Sequence, residues 1–317
     1  MTHDPKALPE WGSLPLDQYM LAQWDENGSI SDEQQRLRIS RSYVSTWSAE
    51  REWYRERAKK GEVQFTTDQI SRILEPFREP ALRHAAQQLS SRKGRFVWLR
   101  TDYEHDEQRE ALLQHLTSSY LYESTWSEYL WDDKLMLSDA RYYNVGTQWR
   151  RVLDFLPEII ECKIPDWPGE YRDEIRFFHE RVKRDYMEWD TSFYEEDESD
   201  DEVYRIMEGE TEHDITLEQA EARLFKTRVV DCHALACETI LFVEDAQTYA
   251  TDPNTFHILW LDDRATVIRH TRATPEDACD FLVDVEKCWD NTPFLYADVG
   301  PDYARGARCG PPYAVGS

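Results

Sequence analysis

Seven of the eight residues Glu195–Glu202 (EEDESDDE) are acidic. Like charges at that density repel one another and resist compaction, so no core runs through this segment. It places a linker at about 192–212 and divides the 317-residue chain into two stretches of different character.

The stretch before the linker carries helical periodicity. Ser31, with Gln34 three residues on, forms a capping box. Leu37, Tyr43, Val44, Trp47 and Tyr54 then recur at three- and four-residue steps, predicting one amphipathic helix over Asp32–Lys60, stopped by Gly61. Thr67 caps a second helix bearing Ile70, Ile73 and Leu74, which Pro76 and Pro80 break. Ala81–Leu89 is a third. Further helices are expected from His105 or Asp106, over Trp126–Leu135, over Thr147–Leu156 and over Glu170–Trp189. One run departs from this pattern. Arg95–Tyr103 (RFVWLRTDY) is short, aromatic and β-branched at its centre, and predicts a strand. Residues 1–30, rich in Pro, Asp and Gly, read as an extended lead-in pinned by Trp11 and Trp24.

After the linker, Thr216 caps a short helix over Leu217–Phe225. Thr239–Val243, Phe256–Leu261 and Thr266–His270 then form short apolar runs. The last two read as a hairpin joined at Asp262–Ala265. Thr274-Pro275-Glu276 starts a helix running to about Trp289. The glycines and prolines after residue 300 predict an extended tail. The fold class is therefore α+β. A predominantly helical body (31–191, with its strand near 95–103) precedes the linker. A small α+β module (213–299), holding a β-hairpin and a helix, follows it, and an extended tail (300–317) closes the chain.

The net charge of −26 is not evenly spread. Residues 1–93 hold 14 acids against 14 bases, whereas residues 191–230 hold 13 against 4. Nucleic acid and anionic membranes are poor partners for such a chain, because both require basic patches. No 18-residue apolar run and no leader-like segment stand out, so the chain reads as cytoplasmic, with a nuclear location also open. Its six cysteines then read as reduced thiols. With 28 Arg and only 9 Lys against 63 acids, most guanidinium groups are expected in ion pairs.

Several residue groups are candidates for chemistry. Asp102 and His105 lie at the end of the predicted strand as it leads into a helix, where α/β folds place their sites. His105 would serve as general base with Asp102 orienting it. Ser138–Arg151 (SDARYYNVGTQWRR) is dense in donors that converge in ligand pockets. There Arg141, Tyr142, Tyr143, Asn144, Gln148 and Arg151 are the substrate-binding candidates, and Asp139 a further catalytic one; Arg groups suit a carboxylate or phosphate. Cys232, His233 and Cys237 supply three zinc-type ligands, with Cys279, Cys288 or His257 as a fourth, against the plainer reading of small buried residues. Asp132-Asp133 resembles a magnesium–diphosphate motif whose third acid is replaced by Met136. Asp262-Asp263 suits a turn better than a metal. Ser199, set among acids, suits phosphorylation.

No GxGxxG, P-loop, GxSxG or HExxH pattern is present. Two readings remain. One is an enzyme of transferase or synthase type acting on a small metabolite in a pocket lined by 138–151, its cofactor unknown. The other is an acidic interaction module that meets a basic protein partner through 192–212 and the C-terminal module.

Overall fold

The structure, a computed structural model, describes residues 10–46, 48–61, 65–91, 97–118, 136–161, 233, 236–250, 253–274, 277–278, 297–304 and 307–309. The linker and the helices expected at 126–135, 170–189 and 217–225 lie outside them.

Among the described residues a mixed six-stranded sheet forms, in the order β2-β1-β3-β4-β5-β6. Its strands are β1 (Val97–Arg100), β2 (Met136–Leu137), β3 (Thr239–Glu244), β4 (Phe256–Leu261), β5 (Val267–Ala273) and β6 (Asp298–Val299). β1 runs parallel to both β2 and β3, and the remaining pairs are antiparallel. The strand expected near 95–103 and the hairpin expected after residue 255 thus belong to one sheet. The β4–β5 turn is built by Asp262, whose Oδ1 accepts from the amides of Arg264 (2.9 Å) and Thr266 (2.7 Å).

Side chains alternate across the sheet, as pleating requires. Trp98 opposes Phe242, which in turn opposes Ile258, and these join Phe256, Trp260, Leu112 and Tyr303 on one face. Val97, Leu99, Leu241, Val243 and Leu259 face the other way. There they meet Leu82, Ala86 and Leu89 of α4 (Pro80–Ser91) and Leu156, Ile159 and Ile160. Both faces of β1 and β3 are covered, which explains why these strands are continuous apolar runs without alternation.

The N-terminal helices α1 (Pro15–Gln23), α2 (Asp32–Ser45) and α3 (Ser48–Lys60) share a separate core of Leu16, Tyr19, Met20, Ile39, Tyr43, Tyr54, Ile73 and Leu74. Ser31 caps α2 with Gln34 as its reciprocal partner, as its spacing predicts. Several local expectations differ. Residues 15–23 are helical, not extended. The single helix expected over 32–60 breaks at Thr46, whose ψ of 146° ends α2. Thr66, not Thr67, caps the following turn, which winds through a wide turn (Ile70–Leu74) and a tight one (Glu75–Phe77). Pro80 begins α4, where its missing N–H costs nothing. Residues expected as helix over 147–156 form the tight turns Trp149–Asp154.

Buried charge pairs tie these helices to the sheet layer. Arg78 makes a two-pronged pair with Glu158 (2.8 and 2.6 Å), and Arg83 binds Asp17 at 3.2 Å. Glu161 accepts from the Tyr43 hydroxyl and from Arg55. Arg51 reaches the Asp263 carbonyl in the β4–β5 turn at 2.6 Å. No helix among the described residues is long and apolar enough to cross a membrane.

Candidate functional site

β1 and β3 end side by side, with Arg100 opposite Glu244 as the last register pair. From Arg100 the chain runs through α5 (Asp106–Ser118) to β2, on one side of β1. From Glu244 it runs through the turn Ala246–Tyr249 to β4, on the other side of β3. The two exits diverge, and the crevice between diverging exits at the carboxyl ends of parallel strands is where such sheets bind ligands.

His105 and Asp102 follow the end of β1, at this edge of the sheet. The Nδ1 atom of His105 lies 2.6 Å from Oδ2 of Asp102. A carboxylate only accepts, so Nδ1 carries the proton and Nε2 is left as the basic nitrogen. The Asp102 side chain is 9% exposed and the His105 ring 33%, so the orienting group is buried and the working group reaches solvent. The ring stacks on Tyr249, with centroids 5.4 Å apart and planes 19° off parallel.

Beneath this pair lies a buried polar cluster around Glu244, whose side chain is 1% exposed. Its Oε2 accepts from Trp98 Nε1 at 3.0 Å, and its Oε1 accepts from the Tyr249 hydroxyl at 2.5 Å. Arg109 Nε sits 2.9 Å from Oε1 but off the N–H line, so it contributes charge and not an aligned hydrogen bond. Arg100 Nε is 3.5 Å from the same oxygen. Burial and the neighbouring Glu244 carboxylate hold the Tyr249 phenol well above its ordinary range, so it stays a donor. Arg100 also donates to the Asp102 carbonyl (2.7 Å), pairs with Asp106 and lies over the Tyr103 ring at 4.2 Å. Burial raises the Tyr103 phenol in turn.

The segment after β2 reaches the same edge. Gly146 N donates to the Thr101 carbonyl (3.2 Å), and Thr101 N donates to that of Glu244 (2.8 Å). Gly146 has φ +57°, which suits glycine, and an added Cβ there would meet nothing. The structure therefore gathers 101–105, 138–146 and 244–249 along one rim. The individual side chains vary. Asp139 caps α6 (Ala140–Tyr143) and pairs with exposed Arg141 at 2.6 Å, which holds its carboxyl below the usual range. Tyr142 donates to Glu79. Tyr143 is buried beside Phe155, its phenol pushed up by burial. Asn144, Gln148 and Arg151 are exposed.

Among the described residues the zinc-type candidates are not drawn together, and His257 lies at this end of the sheet, beside Asp245. His233 accepts from Arg269 Nε at its Nδ1 (3.0 Å). Burial pushes the Cys237 thiol up, and it lies on the Trp98 face of the sheet. His257 opposes Val243, which faces the other side. Among the described residues no group of three or more His, Cys, Asp or Glu side chains suits a metal. Cys232, Cys279, Cys288, Asp132, Asp133 and Ser199 lie outside those residues. Sequence reasoning missed Arg100, Arg109, Glu244 and Tyr249. One signal was available: Glu244 closes an otherwise apolar strand, TILFVE, as a charge at a carboxyl end.

Compared with protein-family models, curated proteins and solved structures, the chain matches none.

Proposed function

We propose that this protein is an enzyme that binds a small polar metabolite at the shared carboxyl edge of β2, β1 and β3 and moves a proton on it through Nε2 of His105. The observation that carries this reading is the 2.6 Å Asp102–His105 pair at the diverging strand ends, with its carboxylate buried and its imidazole open to solvent. Asp102 fixes the tautomer and offsets the imidazolium that forms when Nε2 takes a proton. The exposed groups of the 138–151 rim, Arg141 foremost, would orient an anionic substituent of the substrate, with Asn144, Gln148 and Arg151 as further donors.

A thermal-shift screen of polar metabolites, with and without divalent metal, identifies the ligand. Turnover of that ligand is then compared among wild type, His105→Gln and Asp102→Asn. The expected loss for His105→Gln is about 10²–10⁴-fold in turnover, with binding retained. Arg141→Ala should raise KM more than it lowers kcat. Unchanged turnover in His105→Gln would sink the reading.

A further inference from the structure

We infer that Glu244 is a positioning residue for the Asp102–His105 pair, acting through Tyr249 on one side and Arg100 on the other. This inference rests on the acid–base reading of His105.

Two routes lead from the Glu244 carboxylate to the imidazole. In the first, Oε1 accepts the Tyr249 hydroxyl, and the Tyr249 ring forms the surface on which His105 stacks. Tyr249 ends the four-residue turn Ala246–Tyr249 and is partly buried against the Trp98 core. The hydroxyl bond sets where on that surface the ring sits. In the second, the carboxylate draws in Arg100, whose guanidinium donates to the Asp102 carbonyl, pairs with Asp106 and covers Tyr103. Those contacts fix residues 102–106, the loop that carries both members of the pair.

A side chain placed only for stability has an easier solution here. An apolar residue would suit the Trp98–Phe242 face, because burying a carboxylate is costly unless every lone pair is met. Glu244 instead meets Trp98, Tyr249, Arg100 and Arg109 at once, and half of those contacts lead to the catalytic loop. Glutamine cannot replace it. Its amide turns an NH₂ towards the Trp98 N–H or the guanidinium groups, setting donor against donor.

The test is ¹⁵N NMR of the full-length protein labelled at histidine, with the His105 signals assigned by His105→Gln. Wild type should give one fixed Nδ1–H tautomer. Tyr249→Phe keeps the ring and removes only its bond to Glu244, and Glu244→Gln removes the charge. In each, the single-tautomer signature should be lost to averaged shifts while other histidine signals stay in place. Unchanged His105 shifts in both variants overturn the inference. If Glu244→Gln does not fold, Tyr249→Phe and Arg100→Lys decide on the same criterion. Because the readout needs no substrate, its failure is distinct from a failure of His105→Gln to lose turnover.

Discussion

His257 shows how one side chain sets a pH limit on this fold. It lies on β4 opposite Arg272, beside Asp245 and edge-on to His270, with ring centroids 5.6 Å apart. Burial, then the Arg272 charge, pulls its imidazole down to about 4, with Asp245 pulling the other way. In the unfolded chain an imidazole takes up its proton near 6.5. Between those values the unfolded state binds a proton that the folded state refuses, so stability falls as pH drops from about 6.5 to about 4. Above that window His257 has no effect. The lowered value corresponds to a loss of up to about 3 kcal/mol at the acid end. Urea denaturation at pH 7 and pH 4.5 measures it: His257→Gln should lose less stability across the window than wild type. Equal losses would show that His257 does not set the acid limit. Nothing in the sequence marks this histidine for that role, because its neighbours come from β3 and β5.

At the scale of elements, the Arg78–Glu158 pair joins the start of α4 to the turn Pro157–Glu161. Both side chains are almost fully buried, at 2% and 0% exposure, and Arg78 also donates to the Phe155 carbonyl at 2.9 Å. Burial raises the Glu158 carboxyl and Arg78 opposes that rise. Arg78→Met leaves the carboxylate without its counter-charge and should cost about 3–5 kcal/mol, read from the midpoint of chemical denaturation. Arg78→Met combined with Glu158→Leu should recover most of that loss, since an apolar pair needs no desolvation. A double variant as unstable as the single one would assign the cost to packing instead. The same elements show which local structure the sequence could reveal. Ser31 and Gly61 act through their immediate neighbours, so their roles as cap and stop are visible in order along the chain. α1 was hidden for the opposite reason. It is buried nearly all round, polar residues included, so it has no amphipathic stripe to detect. Asp17 is satisfied by the Gly12 amide and by Arg83, and Gln18 by the Gly12 carbonyl. The break at Thr46 was hidden too, because it lets α2 and α3 each pack on α1, a tertiary demand that side-chain spacing does not record.

At the scale of the whole molecule, the decisive pairing is β1 with β3, Val97 with Leu241 and Leu99 with Val243, across more than a hundred residues of intervening chain. Each strand was legible alone as an apolar run, and neither run names its partner. The candidate site inherits that blindness. Asp102 and His105 are close in sequence and pair as near neighbours, whereas Glu244 and Tyr249 arrive from the far side of the acidic run 195–202. The sheet also dictates what happens when the chain is divided there. A fragment 1–191 keeps β1 and loses β3, exposing Trp98 and Leu99, which are 2% and 0% exposed in the intact fold. In the same cut Trp98 Nε1 loses the Glu244 carboxylate that accepts from it, and Arg100 and Arg109 lose its charge. A fragment 213–317 keeps the antiparallel strands, but β3 becomes a bare apolar edge, an unpaired template that favours aggregation. Hydrogen exchange read by mass spectrometry should therefore find the amides of Val97–Arg100 unprotected in the first fragment alone, and those of Thr239–Glu244 weakened in the second. Mixing the two should restore both, because the β1–β3 ladder and the Glu244 cluster re-form together. Full protection of Val97–Arg100 in the isolated N-terminal fragment would mean that β1 does not depend on β3, and the shared site would lose its structural basis.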